Sequence, residues 1–252
     1  MNKEEKGEAA IMKQLHGKTI AELAPHWKSC IRMMFLEAQE QSKIRCHQVR
    51  GSCKTDVEVW VDGHKKNLCI KQGRANTVHY ESIWSFVKFL RQFDISKKSV
   101  AVFLYYHFGD GTIKGDGQRK RMTVDEMRKQ HDPDFDKANA EFQDPKLVRA
   151  MIIRSIIHGF VQTNQDIDYL YYGNEKFGFL ASKEEIIDYL CQKEAVRVST
   201  LSFGPLSYQP YARNIERDPR DETKRFLVLI KWPQMSEDMR IISEKRKAIS
   251  LF

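Results

Sequence analysis

The chain has 252 residues, 41% apolar and 30% charged, with a formal net charge of +8. That length suits one large domain, or a domain with a substantial extension. No apolar run reaches the roughly 18 residues of a membrane span, and the charged start Met-Asn-Lys-Glu-Glu-Lys-Gly-Glu lacks a signal-like apolar stretch. The expectation is a cytoplasmic protein whose positive charge favours a polyanionic partner.

Residues 3–15 read as a helix that turns Ala9, Ala10, Ile11 and Leu15 inward and carries Glu8. Thr19 and Glu22 have the spacing of a capping box. Pro25 can open a second helix at its first turn. Ile31, Met34, Phe35 and Ala38 extend that helix to about Gln41 at 3–4 spacing, with Glu37 on it. The five cysteines (30, 46, 53, 69 and 191) form no CxxC pair. Cys46-His47 with Cys53 fits no zinc spacing, so reduced thiols are expected.

Residues 56–61 and 67–71 are rich in β-branched and apolar residues, and Asp62-Gly63 between them signals a tight hairpin. Side chains alternate along a strand. Asp56 and Glu58 therefore share one face of the first strand, and Cys69 and Lys71 share one face of the second. If the two faces coincide, a carboxylate and an ammonium converge there.

Residues 79–93 then read as a helix with Ile83, Trp84, Phe86, Val87, Leu90 and Phe93 apolar, and Glu81 near its start. The apolar run Ser99–His107 reads as a buried strand. Residues 109–121 hold four glycines and four basic residues, Lys114, Arg119, Lys120 and Arg121, and predict a flexible cationic loop. It lacks the Gly-Lys-Ser/Thr ending of a P-loop. It is a candidate DNA-backbone contact, with a solvated surface loop as the alternative.

Thr123 and Glu126 form another capping box, and Asp144-Pro145 caps the next helix, whose apolar residues run from Leu147 to Phe160. Tyr169–Leu180 reads as a hairpin around Gly173-Asn174. Ser182 and Glu185 cap a helix to about Lys193. A strand is expected over Phe226–Trp232. Between Tyr208 and Arg225 basic residues interleave with tyrosines. Arg, Asn and Gln are the side chains that read base edges, so Gln209, Arg213, Asn214 and Arg217 are recognition candidates. Ordinary surface polarity is the competing reading.

The hairpin resembles the PD-(D/E)XK nuclease superfamily, which places an Asp on one strand and an acid-x-Lys on the next. Asp56 matches the first position and Lys71 the lysine; Cys69 stands where the second acid belongs. The run Lys71-x-Gly73-x-x-Asn76-x-Val78-His79-x-Glu81 is also similar to restriction-enzyme-like proteins. The resemblance implies an α/β restriction endonuclease-like fold: a mixed sheet flanked by helices, with an appended α+β C-terminal region. The division it suggests is a catalytic core over 1–125 and a recognition region over 126–252.

The resemblance also implies Mg2+ (or Mn2+) held by Asp56 and by a second acid moved to Glu81. Glu8, or its rival Glu37, could join from a preceding helix. Mg2+ binds oxygen ligands and soft sulfur suits other metals, so Cys69 would not replace the acid. Lys71 would position the attacking water. Asn76 and His79 would lie near the phosphate. The implied partner is double-stranded DNA, cut at a short specific site by a two-fold dimer, with a cognate DNA methyltransferase encoded nearby. The alternatives are a DNA-binding module with a decayed site, a repair or RNA nuclease, and a basic interaction protein in which Asp56 and Lys71 form a surface ion pair worth little energy.

Overall fold

The computed structural model describes residues 3–51, 53–73, 76–117, 121–159, 166–195, 201–210, 222 and 224–249. It is a mixed α/β structure with two β-sheets flanked by helices. The chain divides into two compact units that interleave along the sequence. One is built from 1–75, 156–189 and 234–252, the other from 76–155 and 190–233.

The first unit holds a five-stranded sheet in the order β1-β2-β3-β5-β6: β1 (Ile44–Gln48), β2 (Val57–Val61), β3 (His64–Lys71), β5 (Tyr169–Gly173) and β6 (Gly178–Ser182). β1, β2 and β3 form an antiparallel meander, β5 runs parallel to β3, and β6 returns antiparallel. The β2–β3 turn is Asp62-Gly63, with φ of 48° and 83°. Both values lie in the left-handed region of a type I′ hairpin turn, which glycine and aspartate tolerate best. Val57, Val59, Val61, Leu68 and Ile70 point to one face. There they pack with Ile11 and Leu15 of α1 (Lys3–Leu15) and with Trp27, Ile31 and Met34 of α2 (Pro25–Met34). Helix α8 (Met235–Ile249) packs on β6.

Helix α2 stops at Met34, short of the expected Gln41, so Glu37 lies beyond the helix. Tertiary bonds decide this end. The backbone N–H groups of Ile20 and Ala21 bond the carbonyls of Ser42 and Glu40, and Lys28 pairs with Glu40 at 2.9 Å. These contacts fold the chain back instead of extending the helix.

The second unit has an antiparallel sheet in the order β4-β9-β8-β7: β4 (Thr77–Ser82), β7 (Ser202–Phe203), β8 (Leu206–Pro210) and β9 (Leu227–Lys231). With it go α3 (Ile83–Leu90), α4 (Lys97–Phe108), α5 (Val124–Phe142) and α6 (Pro145–Ile152). Its core is aromatic: Phe103 lies 5.2 Å from Phe86 and 4.7 Å from Tyr208, ring centre to ring centre. The expected strand over Ser99–His107 is helix α4. Ser96 caps its start by accepting from the Ser99 N–H at 3.1 Å, and Gly109 ends it at φ 61°. An apolar run buried on all sides has no period to separate strand from helix. The expected helix over 79–93 is strand up to Ser82 and α3 thereafter, so Glu81 lies on β4. Among the described residues no helix is long and apolar enough to cross a membrane.

Candidate active site

The antiparallel register aligns Val57 with Leu68 and Glu58 with Asn67, and the ladder continues through Asp56 N–H to the Leu68 carbonyl at 3.0 Å. One step further, Asp56 stands opposite Cys69. Directly opposed residues of an antiparallel pair share a face. Asp56, Cys69 and Lys71 therefore project to the same side, opposite the face packed by α1 and α2. The two strands position them because Val57, Leu68 and Ile70 are fixed in the core between them.

Asp56 is half-buried, and its Oδ2 accepts the Ile70 N–H at 2.6 Å, which locks the carboxylate across the hairpin. Cys69 is fully enclosed, and burial pushes its thiol up to about 12. The positive charges of Lys71 and Lys54 pull against that rise. The charge of Asp56 and its hydrogen bond with the thiol add to it. The four side chains are thus electrostatically in touch. At neutral pH Cys69 is a neutral thiol against the Asp56 carboxylate, with two ammonium groups nearby. Lys54, which sequence reasoning missed, runs along Gly159: a Cβ there would meet its Cγ at 3.2 Å. The chain pairing that brings residue 159 next to residue 54 is long-range and leaves no local signal.

The remaining candidate residues are distributed as follows. Glu8 accepts from Gln48 Nε2 at 3.0 Å. Gln48 shares a face with Ile44 and Cys46, so Glu8 is held toward the helix-covered face of the sheet rather than the face of Asp56 and Lys71. Glu37 is exposed.

Glu81 belongs to the second unit and has a different set of neighbours. Arg154 donates to its two oxygens at 2.9 and 2.7 Å, and His79 Nε2 is 3.2 Å away. Burial by itself would raise this carboxyl. Hydrogen bonds from His79 and Arg154, and the Arg154 charge, override it and hold the group at about 2. The Arg154 guanidinium thus pairs with the carboxylate that was expected to bind metal. His79 is buried beside it. The Asn76 carbonyl accepts the Trp232 N–H at 2.8 Å.

The glycine-rich loop is anchored more firmly than its composition suggests. Asp110 accepts from Thr112 N–H and Oγ1, both at 2.9 Å, from Gly117 N–H at 3.1 Å, and from buried Arg225. Burial opposes ionisation of Asp110, yet these bonds and the Arg225 charge hold its carboxyl below the usual range. Arg121 caps the end of α4 by donating to the Tyr106 and His107 carbonyls, and it lies over the Tyr106 ring. Its fork is therefore engaged by backbone carbonyls inside the unit. Lys114 is exposed on the same loop. Gln209 lies on β8 opposite Leu229, on the face away from buried Tyr208. Arg119, Lys120, Arg213, Asn214 and Arg217 lie outside the described residues.

His107, beneath that loop, accepts from the Tyr208 hydroxyl at Nδ1 and donates from Nε2 to the Arg225 carbonyl at 2.8 Å. Burial drives it down to about 3. The Arg225 carbonyl bond opposes this, and the Arg121 and Arg225 charges assist it. A histidine depressed in the folded state contributes stability above its unfolded value, near 6.5, and loses it as pH falls toward the folded value. The stability of the wild type should therefore decline between about pH 6.5 and 3. Urea titrations at successive pH values should show this slope reduced in His107→Gln; an unchanged slope would mean the imidazole is not held neutral.

No family model matches the sequence, and neither does any curated protein. Among solved structures the chain is similar to the restriction endonuclease MspI in complex with its cognate DNA, at 12% sequence identity and a TM-score of 0.43, over 81% of this chain and 76% of that one.

Proposed function

We propose that the chain is a divalent-metal-dependent endonuclease of the restriction endonuclease-like class, acting on double-stranded DNA through Asp56 and Lys71. The observation that carries the reading is the register: Asp56 faces Cys69, and Lys71 follows on the same side. The donor set can be tested against the implied Mg2+. Cys69, kept protonated, is no ligand for a hard cation. Among the described residues no cluster of three His, Cys, Asp or Glu side chains is present. Asp56 supplies a carboxylate, and Mg2+ is commonly held by one or two carboxylates with substrate phosphate oxygens and waters completing the shell. Asp56 fits that role. The ion, when bound, would acidify a water and neutralise charge developing on the phosphate.

The chain's own residues would act as follows. Asp56, fixed by the Ile70 N–H, presents an anionic oxygen at a set position. Lys71 donates to the water or to a non-bridging phosphate oxygen and offsets its charge. Lys54 adds a second cation to the same place. Cys69 fills the space between them. The finer reading is a type II enzyme cutting a short specific sequence as a homodimer, with a cognate methyltransferase. Gln209 and Lys114, with Arg119, Lys120, Arg213, Asn214 and Arg217, would contact the DNA.

Incubation with plasmid tests the proposal. Nicking or linearisation should need Mg2+ or Mn2+ and vanish in EDTA; cleavage that persists in chelator would point to different chemistry. Discrete fragments, rather than a smear, would mark a site-specific enzyme. The second reading, a binding module, is favoured by Cys69 in the acid position, and duplex binding without cleavage under either metal would select it. If the thiol only fills space and bonds Asp56, Cys69→Ser should keep its cleavage rate within about tenfold, since a hydroxyl preserves that hydrogen bond. Complete loss of cleavage in a folded Cys69→Ser protein would assign the sulfur a direct part.

A further inference from the structure

The face that carries Asp56 and Lys71 continues to one edge of the five-stranded sheet. β1 is the outermost strand there. Its burial alternates: Ile44 and Cys46 enter the core, while Lys43, Arg45 and His47 are exposed on the other side. The register pairs Arg45 with Trp60 and His47 with Glu58, so Lys43, Arg45 and His47 lie on the same side as Asp56. Lys43, Arg45, His47, Trp60, Asp62 and Gly63 line a cleft of about 470 Å³. That volume is within the range of sites that hold small organic groups, about 300–1,000 Å³.

Charges on an edge strand have a plainer use, since they discourage pairing with another sheet. They do not account for the cleft or for the aromatic ring placed in it. Trp60 is half-buried, and Lys65 lies 5.9 Å from its ring centre while pairing with Glu58 at 2.8 Å. Among the described lining residues Asp62 is the one carboxylate, and it is engaged by the Ser42 hydroxyl. Cations thus dominate the rim, and an indole forms part of the wall. That pairing of a basic track with a stacking ring is the chemistry by which proteins hold single-stranded nucleic acid.

We infer that this cleft is a binding subsite for an unpaired nucleotide, with the base stacked on Trp60 and the adjoining phosphates on Lys43 and Arg45. It deepens the nucleic-acid reading above and rests on it for the identity of the polymer, but it does not depend on cleavage. An unpaired strand is the occupant because a base inside a duplex has no free ring face to offer an indole.

The test is equilibrium binding of a labelled short oligothymidylate, followed by anisotropy in EDTA so that cleavage plays no part. Trp60→Ala should weaken binding about tenfold, while Trp60→Phe, which keeps a ring face, should retain most of it. Lys43→Ala with Arg45→Ala should lower the log–log salt slope by about 0.7 for each phosphate that is no longer neutralised. Trp60→Ala should leave affinity for a blunt duplex nearly unchanged. The subsite is overturned if the wild type does not bind oligothymidylate, if Trp60→Ala binds it normally, or if the duplex is weakened equally. Plasmid cleavage is scored separately. A protein that cuts plasmid but binds oligothymidylate without Trp60 loses the subsite and keeps the nuclease. A protein that cuts nothing but needs Trp60 for the oligomer keeps the subsite and loses the nuclease.

Discussion

Lys71→Ala should lower DNA cleavage by about 10²–10⁴-fold, the range expected for a side chain that positions or deprotonates the attacking water, with duplex affinity nearly unchanged. Affinity for DNA comes mainly from phosphate contacts spread over the surface, and one lysine at the proposed site would be a small part of that sum. Asp56 needs a gentler change, because Asp56→Ala also orphans the buried Ile70 N–H. Asp56→Asn keeps an oxygen to accept that bond but removes the charge. It should fold, bind DNA and fail to cleave. Single-turnover cleavage, paired with a binding titration, separates the two effects. Full activity in either Lys71→Ala or Asp56→Asn would remove the hairpin from the chemistry. Loss of binding together with cleavage would place these groups at the DNA backbone rather than at the bond that breaks.

The hairpin was legible because two local codes agree there. Asp62-Gly63 supplies the left-handed turn, and Val57, Val59 and Val61 alternate with polar residues, so the register followed from the turn and with it the shared face of Asp56, Cys69 and Lys71. The Thr123 and Asp144 helix caps were readable for the same reason: each is complete within four residues. What failed lacks a local code. α4 is apolar all round, so its period is silent, and only Ser96 and Gly109 at its ends mark it as a helix. The edge strand β1 is polar on its open side and short. β4 was absorbed into the helix that follows it, because its partner β9 lies about 150 residues further along the chain. Nothing local signals Arg154, 73 residues from Glu81, as the partner of that carboxylate.

That pair supports the second large expectation. Arg154→Ala should destabilise the protein by about 3–5 kcal/mol, the usual cost of leaving one member of a buried ion pair uncompensated. The Glu81 side chain is fully buried and that of Arg154 is 20% exposed, so solvent cannot substitute for the missing guanidinium at the carboxylate. The effect should appear in EDTA, because nothing in it involves a metal. Glu81→Gln should cost less, since an amide oxygen can still accept from Arg154. The pH dependence provides an independent check. Glu81 is held at about 2 against a usual value near 4.5. A carboxyl depressed in the folded state contributes stability above its unfolded value and loses it as pH falls through the folded one. Between pH 4.5 and 2 the wild type should therefore lose stability that Glu81→Gln no longer has to lose, and their urea midpoints should converge. If Arg154→Ala and Glu81→Gln are instead as stable as the wild type in EDTA, and Glu81→Gln raises the Mg2+ concentration needed for cleavage, the carboxylate belongs to the metal and the ion pair is incidental.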